Sequence, residues 1–143
     1  MGFVAYVRYG AYRIGLNKQW LVKMKFEQIK KTLDSIIDPV EKLEFVMDLG
    51  KELSPVPAGA VCSEILGCTS FVQICREKNN FYGVADSAIV RGILYIILSI
   101  VDGKTPDEIR QIDLEKMFKG LKINIGAARL NGVNSMIRFL KNL

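Results

Sequence analysis

Apolar residues recur with the period of an α-helix in the segment that follows Met24. The positions that show this period are Phe26, Ile29, Leu33, Ile36 and Ile37. Because residues three and four apart share one face of a helix, this spacing predicts a helix that begins near Met24.

A second helix is predicted to begin at Asp38-Pro39. Asp38 is a suitable N-cap, Pro39 fits the first helical turn and Glu41 completes a capping-box pattern. Gly50 lies near the expected end of this helix. The residues expected on its inward face are Leu43, Val46 and Leu49.

The hydrophobic pattern changes after a proline-containing loop at 54–60. Short runs with β-branched and aromatic residues, separated by turn signals, predict β-strands. These runs are residues 61–66, 70–77 and 81–85. Gly67 marks the first turn and residues 78–80 mark the second. The pattern predicts a three-stranded antiparallel meander, with Cys68 at the tip of the first connection.

Helical patterns return after the strands. The predicted helices cover residues 87–101, a start at 105–108, residues 113–120 and residues 127–142. Thr105 and Glu108 have the spacing of a capping box. The last helix is expected to turn one apolar face inward, made of Leu130, Val133, Ile137 and Leu140. Helices, three strands and then helices predict an α+β fold, with one antiparallel sheet packed against a layer of helices in a single domain at 24–143.

The lengths of the apolar runs predict no membrane-spanning helix. The longest apolar run, at 93–101, is far shorter than the roughly 20 residues that a spanning helix needs. Half of the residues are hydrophobic and 24% are charged, as in ordinary soluble domains.

The net charge of +5 is concentrated at the amino terminus. Residues 1–23 carry four basic residues and no acidic one, whereas the remainder has 16 basic and 15 acidic residues. We therefore expect no nucleic-acid binding. Residues 1–23 are a basic extension of uncertain status: the composition is compatible with an organelle transit peptide, but we favour a functional chain that starts at Met24 rather than Met1.

Most catalytic chemistry is excluded by the residues that the chain lacks. It has no histidine, so a Ser-His-Asp or Cys-His pair is impossible within it. It also has no glycine-rich phosphate-binding loop. Cysteine chemistry remains.

Three cysteines, Cys62, Cys68 and Cys75, lie within fourteen positions. Their odd number and the size of the chain favour free thiols in a reducing compartment. Thiolates could hold an iron–sulfur cluster or zinc, but the spacing C-x5-C-x6-C differs from the C-x2-C pairs of common metal sites. Cys62 and Cys75 fall in apolar runs, where a cysteine is more often a small buried hydrophobic residue.

Cys68 differs from the other two because it lies on a turn. Gly67 removes side-chain bulk beside it, so a thiol there can be reached. The backbone N–H groups of residues 68–70 could help to stabilise a thiolate. A turn cysteine without a function is the alternative.

Four segments carry further information. They are LGCTSFV at 66–72, ADSAIVRG at 85–92, GKTPDEI at 103–109 and RLNGVNSMI at 129–137. Each resembles a signature segment of the SufE family of sulfur-acceptor proteins, and together they follow the family's order. The resemblance implies the α+β fold that this family shares with IscU-type scaffolds.

The resemblance also implies a role for Cys68. In this family the corresponding cysteine takes sulfur from the persulfide of a cysteine desulfurase of the SufS type, stimulates that enzyme and passes the sulfur to an iron–sulfur scaffold complex. The chain would then be a cytoplasmic carrier rather than an enzyme. It would need no cofactor of its own, because pyridoxal phosphate belongs to the desulfurase. We further expect Cys68 to be partly shielded against the apolar surface near the sheet.

Other motif positions are expected to shape the Cys68 loop or the partner surface. They are Gly67, Ser70, Asp86, Arg91, Arg129 and Asn131. Each also has a structural interpretation: a helix-terminus pair for Asp86 and Arg91, a strand start for Ser70, and a helix start for Arg129 and Asn131.

The sequence departs from the family pattern at several positions. Gln73 replaces the usual tryptophan, Ala85 and Ser87 replace the usual serine and alanine, and residues 126–128 lack a common Ser-Pro. These changes concern partner affinity and loop geometry rather than the nucleophile. An iron–sulfur or zinc scaffold that uses Cys62, Cys68 and Cys75 is the alternative function, and a non-catalytic interaction module is a third.

Overall fold

The computed structural model describes residues 24–143. The expectations for residues 1–23, including the choice between Met1 and Met24 as the start, lie outside the described residues. The helices of the described part are α1 (Phe26–Ser35), α2 (Pro39–Gly50), α3 (Ala88–Val101), α4 (Pro106–Arg110), α5 (Leu114–Lys119) and α6 (Ala127–Lys141). Its strands are β1 (Val61–Glu64), β2 (Val72–Glu77) and β3 (Asn80–Ala85).

The strands form one antiparallel sheet in the order β1-β2-β3. The predicted meander and the α+β class are therefore confirmed. The first two strands are shorter than predicted, so that residues 65–71 form a connection. Ile65 still lies in the core and its N–H donates to the Val72 carbonyl at 2.8 Å, but Leu66 is 80% exposed and the chain turns at Gly67.

Helix α3 lies at the centre of the molecule. Eleven of its fourteen residues are buried, because it packs against β3 on one side and α2 on the other. Close approach depends on glycines at both contacts: a Cβ at Gly83 would collide with the side chain of Leu94, and one at Gly92 would collide with the backbone of Val46. The amino-terminal half of α3 also lies beside Cys68, where Val90 and Ile93 line a small cavity.

The boundary between α1 and α2 differs from the prediction. Helix α1 ends at Ser35, and Ile37 is 94% exposed rather than inward-facing. The reason is Pro39, which restricts the preceding residue, Asp38, to an extended backbone. The Asp38 carboxylate accepts a hydrogen bond from the Val40 N–H, so the capping box predicted with Glu41 does not form.

The predicted elements after the sheet are mostly confirmed. Thr105 and Glu108 make the reciprocal capping box, and Asp113 caps α5. On α6, Val133, Ile137 and Leu140 are buried as expected. Leu130 is 38% exposed and does not join them. In the part of the chain that the structure describes, no helix combines the length and the apolar character required to cross a membrane.

Candidate functional site

Cys68 lies in the 65–71 connection and is the cysteine that remains a free thiol. This connection places Cys68 against helix α6. The Sγ atom lies 3.8 Å from the Gly132 carbonyl oxygen, to which it donates a weak hydrogen bond. Cys68 is half-buried and packs against the hydrophobic core. The expectation of a partly shielded thiol is confirmed.

A very small cavity adjoins the thiol. Its volume is about 10 Å³, which is room for no more than about one water-sized group. The connection, α3 and α6 all contribute to its wall. The lining residues are Cys68, Thr69, Ser70, Val90, Ile93, Ala128, Arg129, Gly132 and Met136. The site therefore holds the thiol closely and has no room for a larger ligand in this conformation.

Two glycines make this close packing possible. Gly67 has a φ of +90°, and a Cβ there would lie 2.6 Å from the Ser135 hydroxyl oxygen. A Cβ at Gly132 would lie 3.3 Å from Cys68 Sγ. Gly132 and Ser135 were not among the predicted site residues. The available signal was their place in the RLNGVNSMI segment, which was matched as a helix start rather than as a wall for the thiol.

Burial makes the Cys68 thiol less acidic. Desolvation raises the pKa of Cys68 above its ordinary value, because the charged thiolate is disfavoured in a partly apolar environment. Burial is the cause of this shift, and the expectation that the backbone N–H groups of residues 68–70 could stabilise the thiolate stays a prediction. Burial at the resting site therefore favours the neutral thiol over the thiolate.

Two of the predicted motif residues, Ser70 and Arg129, contribute to the wall of the cavity. Arg129 Nη1 donates to the Ile125 carbonyl oxygen at 3.4 Å, across the start of α6. This bond agrees with the structural interpretation of Arg129, and its place in the wall agrees with the functional one.

The other predicted residues lie outside this wall. Arg91 Nη1 donates to the Ala85 carbonyl oxygen at 3.2 Å, and Asp86 is exposed without an ion pair to Arg91. Asn131 is also exposed, and its backbone carbonyl accepts a hydrogen bond from Ser135 at 3.1 Å. The structure therefore brings together Gly67, Cys68, Ser70 and Arg129, whereas Asp86, Arg91 and Asn131 do not line the cavity beside the thiol.

Cys62 and Cys75 form a disulfide, which corrects the expectation of three free thiols. The two residues face each other directly across β1 and β2. This register was not evident from the sequence, because an exact strand pairing is needed to bring two cysteines opposite each other. The disulfide also removes two of the three thiolates on which the metal-scaffold alternative depended. Among residues 24–143, no cluster of cysteine and acidic side chains has the geometry of a metal site.

The two elements that enclose Cys68 also carry exposed apolar side chains. Leu66 is 80% exposed, Phe71 is 40% exposed and Leu130 is 38% exposed. They come from the 65–71 connection and the first turn of α6, the two elements that enclose the thiol. We refer to these three residues as the apolar rim. Gln73, which replaces the usual tryptophan, is half-buried in β2 and pairs with Glu64 and Val84.

A larger cavity lies at the opposite end of α3. Its volume is about 360 Å³, and its wall includes Met24, Phe81, Tyr95 and Asp102. The Tyr95 hydroxyl accepts a hydrogen bond from the Met24 N–H at 3.0 Å. None of the three cysteines lines this cavity. Size alone therefore does not locate the reactive group in this protein.

The fold and the site together define a class: a small α+β protein that presents one free cysteine from a connection between two strands. Comparisons with known proteins specify the class further. The family model of SufE, described as an Fe–S metabolism associated domain, matches residues 27–143. The chain belongs to the SufE family.

Individual relatives agree with this assignment. A SufE-like protein of Rhizobium meliloti is 34% identical over 130 residues, which cover 78% of this chain and 93% of the relative. The sulfur acceptor protein CsdE of Escherichia coli is 29% identical over 119 residues, which cover 77% of this chain and 81% of CsdE. A solution structure of a protein from Thermus thermophilus superimposes with a TM-score of 0.62, over 82% of this chain and 90% of that one. With 14% sequence identity, that likeness concerns the fold alone.

Proposed function

We propose that this protein is a sulfur acceptor that takes persulfide sulfur from a cysteine desulfurase onto Cys68 and delivers it to iron–sulfur cluster assembly. The observation that carries the proposal is a free thiol, half-buried on a strand connection, in a chain of the SufE family. The name of the relative CsdE, a sulfur acceptor protein, supports the same activity.

The transfer is a thiol–persulfide exchange. The Cys68 thiolate attacks the outer sulfur of the desulfurase persulfide, which forms a new S–S bond and breaks that of the donor. The electron pair of the broken bond remains on the desulfurase cysteine as a thiolate, and the proton that Cys68 releases can neutralise it. No net oxidation occurs, because one S–S bond replaces another. Removal of the outer sulfur restores the desulfurase cysteine, which is how an acceptor would stimulate that enzyme.

The raised pKa of Cys68 fits a thiol that is activated only on its partner. In the resting conformation the protonated thiol is a weak nucleophile, since the thiolate is the reactive form. For transfer, Sγ must leave its contact with Gly132 and enter the desulfurase, where partner groups complete the activation. The protein would thus be a stoichiometric carrier rather than an enzyme, without a cofactor of its own. We place this role in the cytoplasm.

The apolar rim supplies a surface for the desulfurase. Leu66 and Phe71 flank Cys68 in the same connection, so a partner that covers them also excludes water from the thiol. Aromatic and aliphatic side chains at the centre of an interface commonly contribute most of its binding energy. Delivery to a scaffold complex would follow after the desulfurase dissociates.

The direct test is intact-protein mass after incubation with L-cysteine and a cognate desulfurase. We expect the wild-type protein to gain the mass of one sulfur atom and to lose it on treatment with a reductant. The variant Cys68→Ser should show no gain in mass. No gain in the wild type, with the desulfurase shown to be active, would refute the carrier function. A gain that persists in Cys68→Ser would mean that another cysteine accepts the sulfur.

The same preparation separates the alternative functions. A metal scaffold would show bound iron or zinc and cluster absorbance after anaerobic reconstitution of the fully reduced protein. An interaction module would bind the desulfurase equally well as wild type and as Cys68→Ser, without any sulfur transfer.

A further inference from the structure

We propose that Cys62 and Cys75 form a reversible thiol–disulfide exchange site, which reacts with a dithiol reductant and controls the opening of the Cys68 connection. The consequence for sulfur transfer rests on the function proposed above. Reversibility is expected if the protein works in a reducing compartment, where disulfides are usually transient and regulatory.

The two cysteines differ in exposure. Cys62 is exposed on β1, a four-residue strand that pairs with β2 and has no second partner strand among the described residues. Cys75 is completely buried on the central strand β2. We therefore expect an attacking thiolate to react at Cys62 rather than at Cys75. This asymmetry defines the order of the exchange reaction.

The exchange is balanced when the reductant is a dithiol. Its first thiolate attacks Cys62 Sγ, forms a mixed disulfide and displaces Cys75 as a thiolate that takes up a proton. Its second thiolate then attacks the reductant's own sulfur in the mixed disulfide and releases Cys62. The reductant becomes an intramolecular disulfide, and the two protons it loses protonate Cys62 and Cys75. Two electrons pass from the dithiol to the protein.

The disulfide encloses the Cys68 connection. Cys62 and Cys75 are 13 positions apart in sequence, and Cys68 lies between them. The cross-link therefore closes a covalent ring at the base of the hairpin that carries the acceptor thiol. A cross-link of this kind lowers the conformational freedom of the enclosed segment.

Noncovalent contacts hold β1 weakly. Three of its four residues are exposed, including Val61 at 75%. Its attachment depends on backbone pairing with β2, on the buried side chain of Ile65 just beyond its end, and on the disulfide. Loss of the disulfide should let β1 separate more often, since short edge elements with few buried contacts open locally at low cost.

Opening of β1 would release the thiol. Cys68 leaves its contact with Gly132 only if the connection moves away from α6, and β1 is one of the two strands that anchor this connection. The disulfide form therefore keeps Cys68 enclosed, and the dithiol form exposes it to a desulfurase more often.

The test compares the oxidised protein, the fully reduced and desalted protein, and the double variant Cys62→Ala/Cys75→Ala. Denaturing alkylation with mass spectrometry counts the free thiols, one in the oxidised form and three in the reduced form. Native alkylation is then followed at the peptide that contains Cys68. We expect Cys68 to react about three- to tenfold faster in the reduced protein and in the double variant than in the oxidised protein. The double variant should not respond to the dithiol.

Equal alkylation rates in all three proteins would overturn the proposal, as would failure of Cys62 and Cys75 to pair under a mild oxidant. The reduced wild type provides the comparison without any substitution in the buried strand. Sulfur transfer from the desulfurase is measured in parallel. If the oxidised and reduced proteins differ in the alkylation rate of Cys68 but neither they nor the double variant accept sulfur, the carrier function is refuted and the redox control of the connection stands. Equal transfer in the oxidised and reduced forms would refute the control of transfer and leave the carrier function intact.

Discussion

Gly92 and Gly132 both lie at contacts that depend on a missing Cβ, and the two contacts serve different purposes. At Gly92 the backbone of α3 lies against the backbone of α2, and a Cβ would collide with the Val46 carbonyl group. At Gly132 the backbone of α6 lies against a side chain, and a Cβ would stand 3.3 Å from Cys68 Sγ. Both glycines are buried in helices. The atoms that they meet differ in how far they can move.

We expect the contact at Gly92 to affect the stability of the fold and the contact at Gly132 to affect the reactivity of the thiol. Two packed helices move apart only if many contacts between them are lost, because protein interiors are closely packed. A thiol on an irregular connection can shift by a few tenths of an ångström at small cost. We therefore assign Gly92 to the assembly of the helical layer and Gly132 to the position of the reactive group.

Gly92→Ala should have the largest effect. The added methyl group must displace α2 from α3, and the resulting overpacking should lower the free energy of unfolding by about 3 kcal/mol. Denaturant unfolding followed by circular dichroism measures this change. An unchanged unfolding midpoint would show that the helix pair adapts, and the distinction between the two glycines would then be lost.

The elements of the helical layer were largely predictable from the sequence. Periodicity and capping residues located α3, α4 and α5 because these signals act locally, as at Thr105 and Asp113. The end of α1 was misplaced, because Ile36 and Ile37 continue the apolar period while Pro39 imposes a boundary. In that case local backbone geometry outweighed periodicity.

The site was predictable only in part. A cysteine beside a glycine in a turn, with the family resemblance, indicated Cys68 and Gly67. The contact between Cys68 and Gly132 joins residues 64 positions apart in sequence. The Cys62–Cys75 disulfide depends on the register of β1 and β2. Long-range pairings of this kind leave no periodic signal in a single sequence. The raised pKa of Cys68 likewise follows from tertiary burial, which the turn residues alone do not reveal.

Gly132→Ala should have a smaller effect on stability and a clear effect on the thiol. Alanine favours the helix over glycine by up to about 1 kcal/mol, which offsets the tighter contact with Cys68, so we expect a net change within about 1 kcal/mol. The displaced thiol should become more exposed and react faster with an alkylating reagent. Gly120→Ala is the matched control, because it adds the same methyl group at the end of α5, 3.4 Å from the Lys116 carbonyl oxygen. Equal acceleration in both variants, or none in Gly132→Ala, would contradict a positioning role for Gly132.

The smallest expected effect is a shift in the pH profile of Cys68 alkylation, compared with the profile of an exposed cysteine. Burial raises the pKa of Cys68, which favours the neutral thiol, so at a given pH below this pKa less thiolate is present than in an exposed cysteine. In the oxidised protein, where Cys62 and Cys75 are bonded to each other, the alkylation rate of Cys68 should keep rising beyond the pH at which a cysteine with an ordinary pKa of about 8.5 reaches its plateau.

Because Gly132→Ala should expose the thiol to solvent, the rate profile of this variant should shift toward lower pH. A midpoint in the wild type below that of an exposed cysteine would mean that the site activates its thiol before any partner binds.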